Sequence, residues 1–137
     1  MMLFLDACAL IYRFEGNSEF RQAAISLLAQ LAQQHGGATV VAVSRLSVLE
    51  CRVKPLREGD AALLQHYDDF FAVCHIVELN AAVVEQATAL RVRHGLQTPD
   101  ALQAACALAL SAPLCFITGD QGFRKVTGLD VHLITPP

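Results

Sequence analysis

The chain has 137 residues, 54% of them hydrophobic and only 17% charged, a balance that excludes an intrinsically disordered chain and fits a compact core. A formal charge of −3 excludes a global positive field of the kind that gathers nucleic acid without specificity. No apolar run approaches the roughly 18 uninterrupted residues of a membrane span. There is also no basic segment followed by a small-residue cleavage site at the start, so a cytoplasmic protein without membrane association is expected.

In chain order, Met2–Leu5 is a short apolar run closed by Asp6, the pattern of a strand covered on both faces in a parallel sheet. Ala7–Phe14 reads as a short helix ending near Gly16. Asn17 or Ser18 can cap a second over Glu19–Gln34, with Ala24, Leu27, Leu28 and Leu31 at core spacing. Gly36-Gly37 stops it, and Thr39–Val43, β-branched and apolar, is a second strand. Ser44 caps a helix over Arg45–Val53, expected to break before Pro55 because proline disfavours helical geometry in its predecessor. Glu58–Val73 follows as a helix with Leu63, Leu64, Tyr67, Phe70 and Phe71 inward. Ile76–Leu79 is a short strand, and Ala81–His94 a helix stopped by Gly95. Thr98-Pro99-Asp100 carries the start signals of an alanine-rich helix running to about Leu110. Leu114–Thr118 is a buried strand, Gly119–Gly122 a turn and Val131–Ile134 a last strand. Strands alternate with helices and no linker or repeat intervenes. One domain over residues 1–137 is expected, a three-layer α/β/α fold with a mostly parallel sheet.

Most of the thirteen acids sit on polar helix faces or in first turns. Four are placed differently. Asp6 closes the first strand, where helix capping alone would account for it. Glu50 lies beside the apolar stripe of the Arg45–Val53 helix, where an unpaired charge is costly. Asp100 occupies the first turn of a strongly apolar helix, and Asp120 the turn after Leu114–Thr118. Strand ends and helix starts share the edge where open α/β sheets bind ligands, and Glu50 can reach that edge. Two carboxylates about 4 Å apart repel by on the order of 4 kcal/mol at an effective dielectric near 20. Such a cluster persists when protons are shared or a cation sits among the oxygens. All-oxygen ligation selects Mg²⁺ or Mn²⁺, and the five histidines (His35, His66, His75, His94, His132) show no zinc-ligand spacing. The five cysteines (Cys8, Cys51, Cys74, Cys106, Cys115) lack CxxC spacing and mostly lie in apolar runs, as core thiols do in a reducing compartment.

The chain resembles the PIN-domain ribonucleases of the VapC toxin type. Leu5-Asp6 followed by Ala-Cys-Ala-Leu-Ile carries the likeness, as do Leu-Ser-Val-Leu-Glu50, the run Leu96-Gln97-Thr98-Pro99-Asp100-Ala101-Leu102-Gln103-Ala104-Ala105, and Thr118-Gly119-Asp120 before Gln-Gly-Phe. The likeness spans essentially the full length, with the four acids in the family's order. It implies a Mg²⁺- or Mn²⁺-dependent endoribonuclease that cleaves RNA with metal-activated water. Asp6 and Asp100 would be the closest ligands, Glu50 and Asp120 would complete the pocket, and Thr118 would support them by hydrogen bonding. A cognate antitoxin and a homodimer are also implied, with the apolar parts of Ala7–Phe14 and Glu58–Val73 as candidate surfaces. Family members often carry Ser, Thr or Asn just after the first aspartate, where this chain has Ala7-Cys8.

Arg45, Arg52, Lys54 and Arg57 form a basic stretch that could hold an RNA backbone. Cys8 has no visible base partner and reads as a core thiol. Three other classes fit the sequence less well. An aspartyl phosphatase needs a second acid two residues after the first, where Cys8 stands. A receiver domain needs a late lysine before proline, whereas Lys125 precedes Val126. A PIN fold that binds RNA without cutting would normally have lost acids, and all four are present.

Overall fold

A computed structural model describes residues 1–136. Its five strands, β1 (Met2–Leu5), β2 (Val40–Ser44), β3 (His75–Val77), β4 (Leu114–Thr118) and β5 (Val131–Leu133), form one sheet in the order β3-β2-β1-β4-β5. Every pairing is parallel, so the sheet is wholly and not mostly parallel. Six helices cover it: α1 (Ala7–Glu15), α2 (Ser18–Gln34), α3 (Arg45–Glu58), α4 (Ala61–Ala72), α5 (Ala81–His94) and α6 (Thr98–Leu108). The result is the expected three-layer α/β/α arrangement.

Two cores follow from the alternation of side chains across β1. Phe4 faces α5 and α6 with Ala42 and Phe116, while Leu3 and Leu5 face α1, α2 and α4 with Val43, Cys115 and Ile117. With both faces covered, β1 reads as a continuous apolar run. Alanines at 101, 104, 105 and 107, all fully buried, let α6 lie close against the sheet. On the opposite layer the Tyr67 hydroxyl donates to Glu15, whose other oxygen lies 3.4 Å from Lys54 Nζ, joining α4, α1 and α3.

Several boundaries differ from expectation. The helix from Ser44 does not stop at Val53. It continues through Pro55 to Glu58 and ends at Gly59 in the left-handed region. Pro55 lies in the last turn, so it forfeits one helical hydrogen bond, and its ring is buried with Ser47 and Cys51 on one face. The next helix therefore starts at Ala61, capped by Asp60, and not at Glu58. Along it Tyr67 and Phe71 are buried, and Leu63, Leu64 and Phe70 half-buried. The third strand is shifted to His75–Val77, α6 ends at Leu108, and the turn after β4 continues as a 3₁₀ segment, Gln121–Lys125. No helix among the described residues is long and apolar enough to cross a membrane.

Candidate active site

Asp6 is the last residue before α1 and is only 4% exposed. Its two carboxylate oxygens have separate partners. Oδ1 accepts from Ala9 N at 2.9 Å, the capping bond, and Oδ2 accepts from Thr118 Oγ1 at 2.5 Å. The capping and site readings of this residue are therefore compatible. Thr118, fully buried at the end of β4, also accepts from Asp120 N at 3.0 Å. One hydroxyl thus fixes Asp6 and the turn that carries Asp120. The same turn is anchored below by Phe123, whose ring lies 4.7 Å from that of Phe116, which stacks on Phe4 at 5.4 Å. Gly119 has no room for a side chain, since a Cβ there would stand 2.5 Å from Tyr12 Cε2 and 3.0 Å from Cys8 Sγ.

Asp6, Glu50, Asp100 and Asp120 line one cavity of about 350 Å³, so four acids drawn from four places in the chain share one recess at the carboxyl edge of the sheet. Burial pushes the Asp6 carboxyl up to about 6, against the lowering effect of Thr118 and Ala9, and the charges of Asp100 and Asp120 add to the rise. Glu50 is raised by burial and by Asp100, and Asp100 by burial and by Asp120. Burial, followed by the Asp6 charge, also raises the Cys8 thiol, which lines the same recess. That is the opposite of what a nucleophilic thiolate requires.

The all-oxygen donor set and the mutual repulsion fit a hard divalent cation. The acids surround the recess without closing on one point. Among the described residues, the set of three His, Cys, Asp or Glu whose ligand atoms all lie within 4.8 Å of one another is Cys115, Asp130 and His132, at the other end of β4. An open carboxylate cage suits an ion that keeps several waters.

Reading the sequence for acids missed Gln103 and Tyr12, which line the recess. Gln103 is 3% exposed. Its Oε1 accepts from Ser44 Oγ at 2.9 Å and its Nε2 donates to Ser47 Oγ at 2.8 Å. This links the start of α3, which bears Glu50, to α6, which bears Asp100. A glutamine one turn after Asp100 on so apolar a helix was the available signal. Gln103→Ala should leave two serine hydroxyls buried without that partner, at a cost of about 1–3 kcal/mol. It should also weaken divalent-ion binding by loosening Glu50 against Asp100. Chemical denaturation and ion titration of the same variant check both.

The basic stretch on α3 is largely committed to neighbouring acids. Arg45 makes a two-pronged pair with Glu78 at 2.9 and 2.6 Å, Arg52 reaches Asp68 at 3.1 Å, and Lys54 reaches Glu15. Arg57 is exposed and in no salt bridge among the described residues.

A three-layer fold with an all-parallel sheet and an acidic recess at its carboxyl edge belongs to the α/β proteins that gather their polar groups at the ends of parallel strands. Residues 3–129 match the model of the PIN domain, and the chain belongs to that family. It is similar in structure to a toxin–antitoxin complex from Klebsiella pneumoniae (21% identity, TM-score 0.74), covering 98% of this chain and 99% of that one. VapBC2 from Rickettsia felis, bound to a DNA fragment from its promoter, gives 18% identity, a TM-score of 0.74 and coverage of 97% and 98%. Mycobacterium tuberculosis VapC20, a sarcin–ricin loop cleaving toxin, gives 18% identity, a TM-score of 0.71 and coverage of 98% and 99%. No curated protein matches the chain in sequence.

Proposed function

We propose that this PIN-domain chain is a divalent-metal-dependent endoribonuclease and the toxin of a toxin–antitoxin pair. The observation that carries the reading is the convergence of Asp6, Glu50, Asp100 and Asp120 on one recess. Asp6 and Asp100 would be the closest ligands of Mg²⁺ or Mn²⁺, with Glu50 and Asp120 completing the pocket. An ion held by these carboxylates would supply Lewis acidity toward water and a phosphodiester. Asp6 is held for this by Thr118 and Ala9, and Asp100 stands in the first turn of α6. Gln103 sets the spacing of α3 and α6. Phosphates of the RNA would meet Arg57 and, by exchange, the arginines of the exposed pairs Arg45–Glu78 and Arg52–Asp68, since surface pairs of this kind are worth little.

The toxin role rests on the PIN family and on likeness of fold to toxin–antitoxin structures. It brings with it a protein antitoxin, a homodimer and a cytoplasmic site of action, to which the five free cysteines are suited. An antitoxin or a second copy needs an apolar landing surface. Leu49, Val53 and Leu56 offer one along α3, with 62%, 47% and 57% of their areas exposed, and Ile11 of α1 is 39% exposed. These residues join Ala7–Phe14 and Glu58–Val73 as candidate surfaces.

The test is cleavage of RNA by the purified chain. Mn²⁺ or Mg²⁺ should restore activity lost to a chelator, and Asp100→Asn should lower it by several orders of magnitude with an unchanged fold by circular dichroism. Full activity in that variant would sink the reading. Binding of RNA without cleavage by the wild-type chain under any divalent ion would favour a non-cutting PIN module. Expression alone should arrest growth, and co-expression of a small open reading frame from immediately upstream should relieve the arrest.

A further inference from the structure

At the end of the sheet away from the acidic recess, a second group of metal-ligating side chains converges. Cys115 is at the start of β4 and His132 in the middle of β5, whose register with β4 pairs Ile117 with His132. Asp130 lies two residues before His132, and its carbonyl accepts from Phe116 N at 2.8 Å. Strand alternation therefore puts Cys115, Asp130 and His132 on one face. His35 arrives there from the carboxyl end of α2.

The ligand atoms of Cys115, Asp130 and His132 all lie within 4.8 Å of one another, and His35 stands against the sulfur. Cys115 Sγ lies 4.0 Å from Asp130 Oδ2 and 3.9 Å from His35 Nε2, and Asp130 Oδ2 lies 3.0 Å from His132 Nε2. A tetrahedral zinc with ordinary bond lengths sets sulfur about 3.6 Å from nitrogen or oxygen, and nitrogen about 3.3 Å from oxygen. Shifts of a few tenths of an ångström would bring Cys115 to those separations from Asp130 and His35, while His35, which stands outside the set of three whose ligand atoms lie within 4.8 Å of one another, would have to turn inward to take the fourth position. The His132 nitrogen supplies an independent sign. It has no solvent-exposed area and makes no hydrogen bond, although the Asp130 oxygen is 3.0 Å away. The two atoms stand in ion-pair contact without hydrogen-bond alignment, a placement that also suits two donors to a common cation. A buried imidazole nitrogen with no partner otherwise costs free energy.

We propose that Cys115, Asp130 and His132, with His35 closing the fourth position, bind Zn²⁺. A thiolate with imidazoles and one carboxylate suits zinc, whereas the four-carboxylate recess suits Mg²⁺ or Mn²⁺. Cys115 is 2% exposed, while the Asp130 side chain is 68% exposed and gives the ion a route in. The ion would tie β5, a three-residue edge strand, to β4 and to the end of α2. The site does not depend on the ribonuclease reading.

With saturating Mg²⁺ present to occupy the acidic recess, Zn²⁺ titrated into the full chain against a chromophoric chelator should bind at one equivalent and raise the melting temperature. Co²⁺ as a probe should give a thiolate-to-metal charge-transfer band. His132→Gln and Asp130→Asn, both outside the core, should weaken Zn²⁺ by on the order of 100-fold. Cys115→Ser should remove the band, and His35→Gln should weaken binding as well. Asp100→Asn should leave both the band and the affinity intact. Wild-type Zn²⁺ affinity in His132→Gln, or a Co²⁺ complex with no thiolate band, overturns the site. So does loss of the band in Asp100→Asn, which would put the ion at the acidic recess.

Discussion

Asp6→Asn is expected to abolish divalent-dependent RNA cleavage and at the same time to make the metal-free chain more stable. The two effects have one origin. The carboxylate is nearly buried, and its folded state favours the proton, with burial as the main cause and Asp100 and Asp120 adding to it. Asparagine keeps the shape and the oxygen that caps α1 through Ala9, and asparagine is as good a cap as aspartate. It removes the charge that an ion would bind and that the apo fold tolerates poorly. The Thr118 hydroxyl loses its charged acceptor, at a cost of about 1 kcal/mol, less than the relief of the buried charge. Thermal melts in chelator at neutral pH should therefore place the variant above the wild type. Cleavage assays should place it several orders of magnitude below. A variant that is both inactive and less stable would show that the Asp6 charge belongs to the fold and not to the site.

Stability of the metal-free chain should fall as pH rises from about 4 to about 6, a trend opposite to that of most carboxylates. The Asp6 pKa is raised from 3.8 to about 6, so in this window the folded chain binds more protons than the unfolded chain. Stability then decreases with rising pH. The full effect is on the order of 3 kcal/mol for a shift of about two units, present below the unfolded value and lost through the folded one. Glu50 and Asp100 are raised as well and act in the same direction. Glu78, lowered by its bond to Arg45, acts oppositely but is exposed. Urea denaturation from pH 4 to pH 7 in chelator measures the slope, and Asp6→Asn should remove most of it. Saturating Mg²⁺ should flatten it too, because an ion that binds only the folded, ionised state adds stability where the proton is lost. A wild-type curve parallel to that of Asp6→Asn would overturn the assignment.

Much of this was legible because parallel sheets leave strong marks. Four apolar residues closed by Asp6 signal a central strand, and Thr98-Pro99-Asp100 signals a helix start whatever the tertiary context. The convergence of the acids was inferable because strand ends and helix starts must share an edge. The helix continues through Pro55: the local penalty of a proline is the same everywhere, whereas the burial of its ring is a property of the assembled layer. The pairing of Arg45 with Glu78 and Arg52 with Asp68 was invisible for the same reason. Gln103 reads as an ordinary polar residue until Ser44 and Ser47 stand opposite it. Zinc-type spacing is absent along the chain, yet the register of β4 with β5 brings Cys115 and His132 together across it.

The bond from Thr118 to Asp6 spans 112 residues, and β1 has its neighbours in β2 and β4. Strand β1 is made first, yet it has no partner on one side until residues 114–117 exist. During synthesis its apolar edge must wait, exposed to other nascent strands and to chaperones. Contacts so distant in sequence also slow the closure of the sheet. The acidic recess is therefore a late product of folding. A fragment that ends between Asp100 and β4 carries Asp6, Glu50 and Asp100 but not the hydroxyl that aims Asp6, so translation itself delays the moment at which the recess is complete.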